Sequence, residues 1–139
     1  MLRSLTLTSA LALSLAIAAP ASAEDIVESP STVDAVYAAE STTRALQPGE
    51  KIENLYTKNA TQDYVLQKLT DRVYFFQRQF YGTVFYVGDD GVLLFDALEG
   101  HAAAVEAAID QVTSLPITAL VYSHDHADHI ADAAAIIDA

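Results

Sequence analysis

Three of the chain's four histidines fall within six residues, in the run His124-Asp125-His126-Ala127-Asp128-His129. Imidazole nitrogens and carboxylate oxygens are metal ligands, and the chain has no cysteine. Any metal it holds must therefore sit on nitrogen and oxygen, a set that suits zinc, iron and manganese. His124 and His126 are two residues apart, so in an extended turn both side chains can face one side. Asp128 and His129 come on the next bend. One pair can serve a first ion and the other a second, and two ions about 3.5–4 Å apart can clamp a bridging hydroxide. A solvated acidic loop explains poorly why three imidazoles cluster beside an apolar strand.

The elements that must position this run are legible around it. Tyr64 to Leu69 and Val73 to Arg78 are β-branched, aromatic and apolar, with Thr70-Asp71-Arg72 between them, which predicts a hairpin. Thr83 to Val87 is a further strand. Gly88-Asp89-Asp90-Gly91 makes a turn, and Val92 to Phe95 comes next as a buried strand ending at Asp96. After Gly100 the period switches. Ala102, Val105, Ile109 and Val112 share one face of an amphipathic helix, which Pro116 stops. Ile117 to Tyr122 is an apolar strand, read as buried, that delivers the chain to the histidines. Ile130, Ala133, Ala134 and Ile137 then space as one face of a second helix. A strand end opening into a helix is where α/β folds place their chemistry.

The pattern His-x-His-x-Asp-His after an apolar strand resembles the metallo-β-lactamase superfamily. The upstream order matches that family too: a β meander, the strand Gly91 to Phe95 ending on Asp96, a helix, then the strand into the motif. The resemblance covers about Tyr64 to Ala139. It implies an α/β fold, the αββα sandwich of that family, with this chain as its first half. It implies two zinc ions, the first on His124 and His126, the second on Asp128 and His129. Asp128 would also be catalytic, orienting the nucleophilic hydroxide. Asp96 matches the family's strand-end acid, which supports the site rather than binding metal. Two departures stand out. Members often carry Gly-Gly soon after the motif, where Ile130-Ala131-Asp132 stands here. The family's further His, bridging Asp and last His lie downstream, and no histidine comes after His129 in this sequence. The chain is therefore expected to be the N-terminal part of a hydrolase and inactive by itself.

Residues 1–23 read as a secretory signal peptide. Arg3 gives the positive start, Leu5 to Ala19 is apolar or small, and Ala21-Ser22-Ala23 is a small-x-small cleavage site after Pro20. The apolar run is shorter than the roughly 20 residues a membrane span needs. The expected location is periplasmic or secreted, with no membrane attachment after cleavage. Residues 24–60 form a polar leader with turn signals at Ser29-Pro30 and Pro48-Gly49, and with a short helix expected over Val33 to Leu46. The domain proper is expected over residues 61–139. The net charge of −12 repels phosphate backbones, so nucleic acid is an unsuitable partner and a small-molecule substrate the expected one.

Other residues carry duller expectations. His101 is expected to be a solvated helix-start residue, and Asp125 and Asp132 exposed acids. Asp89 and Asp90 belong to the turn. Tyr74-Phe75-Phe76 and Phe80-Tyr81 are expected in the core and in strand pairing. Phe75, Val84, Phe85, Val92, Leu94 and Val121 are expected to lack a second layer to pack on. The reaction that the resemblance implies is hydrolysis of an ester, lactone, lactam or sulfate. Export argues against tRNA processing and glutathione thioester chemistry. Three rivals remain. One is a mononuclear iron oxygenase on the same fold, and another is an inactive truncated metal-binding product. The third is the His-x-His strand end of a barrel-type amidohydrolase, which the upstream hairpins and the extra Asp128-His129 oppose.

Overall fold

The structure, a computed structural model, describes residues 35–137. The signal-peptide reading and the start of the leader lie outside the described residues. The elements run β1 (Val36–Ala38), β2 (Glu50–Ile52), α1 (Leu55–Thr61), β3 (Val65–Lys68), β4 (Val73–Arg78), β5 (Tyr81–Val87), β6 (Val92–Phe95), α2 (Ala102–Asp110), β7 (Ile117–Val121), α3 (Ala127–Ile130) and α4 (Ala133–Ile137). Among the described residues no helix is long and apolar enough to cross a membrane.

Strands β3 to β7 form one five-stranded sheet in chain order, antiparallel from β3 to β6 and parallel between β6 and β7. The parallel step is the one that needs a crossover, and α2 supplies it. Alternation along the strands puts Tyr74, Phe76, Phe85, Val92 and Leu94 on one face. Val105, Ala108 and Ile109 of α2 and Ile136 of α4 complete that core. A mixed sheet with helices on one face is what a partial metallo-β-lactamase fold provides.

Several expectations need correction. Phe85, Val92 and Leu94 are fully buried, because α2 and α4 cover their face. Phe75 and Val84 point to the other face and are half-buried. Strand β7 is not a buried strand but the sheet edge, with Thr118, Ala119 and Val121 exposed. The expected second helix is broken at Ala131-Asp132, so Ile136 is the buried residue and Ile137 is exposed. No helix forms over Val33 to Leu46 in its described part. Val36 to Ala38 instead pairs in parallel with Glu50 to Ile52. Long-range hydrogen bonds hold the residues just after β1. Glu40 Oε1 accepts from Leu66 N at 2.6 Å, and Ser41 N donates to Gln67 Oε1 at 2.9 Å. These bonds tie the segment to β3 and outweigh helix propensity.

One glycine fixes the approach of β7. A Cβ on Gly91 would collide with Thr118 Oγ1 and lie 2.9 Å from Thr118 Cβ. Only a residue without a side chain lets the turn before β6 pass Thr118.

Candidate metal centre

The run from His124 to His129 comes directly after β7, and the β6–α2 loop holds it by backbone bonds. Ala97 N donates to His129 O at 2.8 Å, Glu99 N to Asp128 O at 3.0 Å, and Asp132 N to Ala97 O at 3.2 Å. His126 precedes α3, and its carbonyl accepts from His129 N at 3.0 Å.

Asp96 is the hub. It ends β6 in the left-handed region at φ 56° and is 7% exposed. Its carboxylate accepts from Ser123 N at 2.7 Å, from Ser123 Oγ at 2.7 Å and from His129 Nδ1 at 2.9 Å. Burial alone would raise its pKa, but the two Ser123 bonds and the His129 bond together lower it, so it is ionised at neutral pH. These contacts tie Asp96 to Ser123 and His129.

This hub also sets proton positions. An ionised carboxylate only accepts, so His129 Nδ1 carries a proton and leaves Nε2 with a free lone pair in the neutral ring. Ser123 spends its single hydroxyl proton on Asp96. Toward His124 Nδ1, 2.8 Å away, the Ser123 oxygen must therefore accept. His124 Nδ1 is thus the protonated nitrogen, and its Nε2 is free as well. A carboxylate or hydroxyl on one ring nitrogen that frees the other is the usual arrangement behind a histidine ligand. Sequence pattern alone does not single out Ser123. The one signal it offers is a hydroxyl residue immediately ahead of the first histidine.

The three imidazoles are gathered. The His124 ring centroid is 4.5 Å from that of His126 and 4.3 Å from that of His129. Asp128 Oδ2 lies 3.8 Å from His129 Nε2. His124 and His126 are exposed, whereas Asp128 and His129 are partly buried. The donors are the right chemical set for zinc, with Nε2 of two histidines left open. The side chains are not converged, however: among the described residues no group of three or more His, Asp or Glu is placed to hold a metal ion.

Behind His129 stands a second layer. The Tyr81 ring lies edge-on to His129 at 6.2 Å and 5.5 Å from His101. His101 is not solvated but 6% exposed, and its Nδ1 is 3.1 Å from Arg78 Nη1. Burial first, then the Arg78 charge, lower its pKa, and Asp132 offsets only part of that. Asp132 is not a free acid either. Its Oδ2 accepts from His101 N and Ala102 N, both at 2.9 Å, and so caps α2 from 31 and 30 residues away. Burial raises the Asp132 pKa, and the backbone bonds from Ala102, Gly100 and His101 outweigh it. Asp125 is exposed, as expected.

The model of the Metallo-beta-lactamase superfamily matches residues 78–139. Over this segment the chain is similar to that superfamily. The match begins at Arg78 and takes in β5, β6, α2, β7 and the whole histidine run. No curated protein matches the chain. Similarity to the superfamily over this segment allows metal-dependent hydrolysis and agrees with the donor set described above.

Proposed function

We propose that the chain is the metal-binding part of an exported hydrolase that cleaves an ester, lactone, lactam or sulfate. His124 and His126 would hold one zinc ion, and Asp128 and His129 a second. The observation that carries this reading is the Asp96 hub. It leaves Nε2 of His129 free directly and Nε2 of His124 free through Ser123. Zinc would supply Lewis acidity and a lowered pKa for bound water. The chain's own residues do the rest. Asp96 and Ser123 fix the ring tautomers, Tyr81 backs the His129 ring, and Asp128 is the carboxylate that accepts a proton or orients water.

Four donors for two ions leave each site short of a full set, and incomplete sites lose affinity steeply. The 139-residue chain is therefore expected to bind zinc weakly and to show no enzymatic turnover. The test is equilibrium dialysis of zinc against the chain and its His124→Ala/His126→Ala variant, alongside assays on lactam, lactone, aryl ester and sulfate substrates. Loss of zinc in the variant is expected. Equal uptake by both proteins would place the metal elsewhere. Turnover that vanishes in Asp128→Ala would show that this chain completes a working site. Export has its own check: mature material should begin at Glu24.

A further inference from the structure

One concave feature is lined by no residue of the histidine run. It is a groove of about 590 Å³ between α1 and the β4–β5 turn, lined by Tyr56, Asn59, Asp63, Gln77, Arg78 and Phe80, among others. One of its polar groups is buried without a partner, and a second is open to solvent with no protein acceptor. Asn59 Oδ1 is buried and has no hydrogen-bond partner, which costs about 1–3 kcal/mol if nothing donates to it. Arg78 donates from Nε to the Asp63 carbonyl at 3.1 Å and meets His101 through Nη1, but Nη2 has no acceptor among the described residues. No carboxylate of the described residues pairs with this guanidinium, although Arg44, Lys58, Lys68 and Arg72 each meet one. A guanidinium without a carboxylate partner can take a carboxylate at its free edge. Two aromatic rings stand open at the same groove, Phe80 at 94% exposure and Tyr56 at 66%.

We propose that this groove binds a small organic molecule with one carboxylate, an N–H donor and an apolar body. Arg78 takes the carboxylate, Asn59 Oδ1 takes the N–H, and Phe80 and Tyr56 close on the apolar part. The Asp63 side chain, exposed and lining the same groove, disfavours a second negative charge, so a monocarboxylate is accepted over a phosphate monoester. The site does not depend on the metal reading, because none of these residues is a proposed ligand.

The test uses the full chain in metal-free buffer with chelator present, titrated with N-acetyl-L-phenylalanine and followed by amide NMR shifts. Saturable shifts are expected at Asn59 and from Gln77 to Phe80. The neutral probe N-acetyl-L-phenylalaninamide and the dianion phenyl phosphate should bind about tenfold more weakly, as should Arg78→Gln, since a lost charge-assisted contact is worth about a factor of ten. Arg78 also contacts His101, so Asn59→Leu serves as the independent variant. It removes an unsatisfied buried acceptor, so the protein should be at least as stable while probe binding falls. Equal binding of the acid and its amide would overturn the proposal. So would the absence of saturable shifts at millimolar probe, or unchanged affinity in Asn59→Leu.

Discussion

Replacing Asp96 by Asn tests whether the carboxylate is the hub that holds the motif. Asn keeps the size of the side chain and tolerates the left-handed φ of 56°, so backbone strain stays the same. What changes is acceptor capacity. Asp96 accepts three bonds, two from Ser123 and one from His129. Asn offers one acceptor oxygen and an NH₂ group that must face either the Ser123 backbone N–H or both the serine hydroxyl and the protonated Nδ1. At least one bond to an ionised acceptor is lost, and the others become neutral. Each charged bond is worth about 1.5–3 kcal/mol, and its neutral counterpart about 1. The expected loss is about 2.5 kcal/mol of folding stability or more. Asp96→Ala removes both acceptor oxygens, and with them all three bonds, and forces a Cβ residue with no local hydrogen bond into positive φ. It is expected to cost about 4–5 kcal/mol, close to the whole stability of a small domain. Because the hub orients two histidines, zinc affinity in the Asn variant should fall by about 10–100-fold. Urea unfolding followed by circular dichroism reads the first effect, and competition with a chromophoric chelator reads the second. An Asn variant with an unchanged midpoint and unchanged zinc affinity would refute the reasoning. It would mean that the Ser123 and His129 bonds exist without holding anything.

Three further outcomes rest on particular contacts. Gly91→Ala should destabilise by about 2 kcal/mol through collision with Thr118, and Thr118→Gly should restore part of that in the double variant; thermal melts of the four proteins decide it. Asp132→Ala should cost about 1 kcal/mol as a lost helix cap. Because the Asp132 pKa is lowered in the fold, this contribution is complete above about pH 4 and disappears as pH falls through the folded value, so wild type and variant should converge in acid unfolding. The His101 pKa is also lowered in the fold, so the protein favours the neutral ring. Stability should decline as pH drops from about 6.5 toward the folded value, and His101→Gln should flatten that limb of a stability–pH curve.

The sheet was legible because its signals are local. Alternation from Val73 to Arg78, the Gly88–Gly91 turn and the run Val92 to Phe95 each sit within a few residues, and all three became β4, a turn and β6. The histidine run was legible for the same reason. The features that were not legible depend on contacts across the chain. Asp132 caps a helix that begins 30 residues earlier. His101 is buried because Tyr81 and Arg78 of a distant hairpin close over it. Phe80 was expected in the core with its neighbour Tyr81, yet the turn between β4 and β5 points it outward at 94% exposure. In β7 an apolar run that reads as buried became an edge, since hydropathy does not tell which strand is last in a sheet.

The two halves of the motif are anchored unequally, and this accounts for donors that are gathered but not converged. The Asp128-His129 half is held by two backbone bonds from the β6–α2 loop and by the Asp96 carboxylate. The His124-His126 half leaves an edge strand and is exposed. The His124 ring has one hydrogen bond, to Ser123, and the His126 ring has none among the described residues. A side chain with a single anchor keeps most of its rotamer freedom, which a bound ion would have to remove at about 0.5–1.5 kcal/mol for each side chain ordered. The partly buried half is therefore the prearranged one, and the exposed half is the one that a metal would have to order under the proposed function. On this argument, loss of the imidazole at 129 should disturb the fold as well as the site, because it opens the Asp96 hub. Loss of the imidazole at 126 should leave folding intact and reduce only metal binding, and comparing the urea midpoints of His126→Ala and His129→Ala separates the two roles.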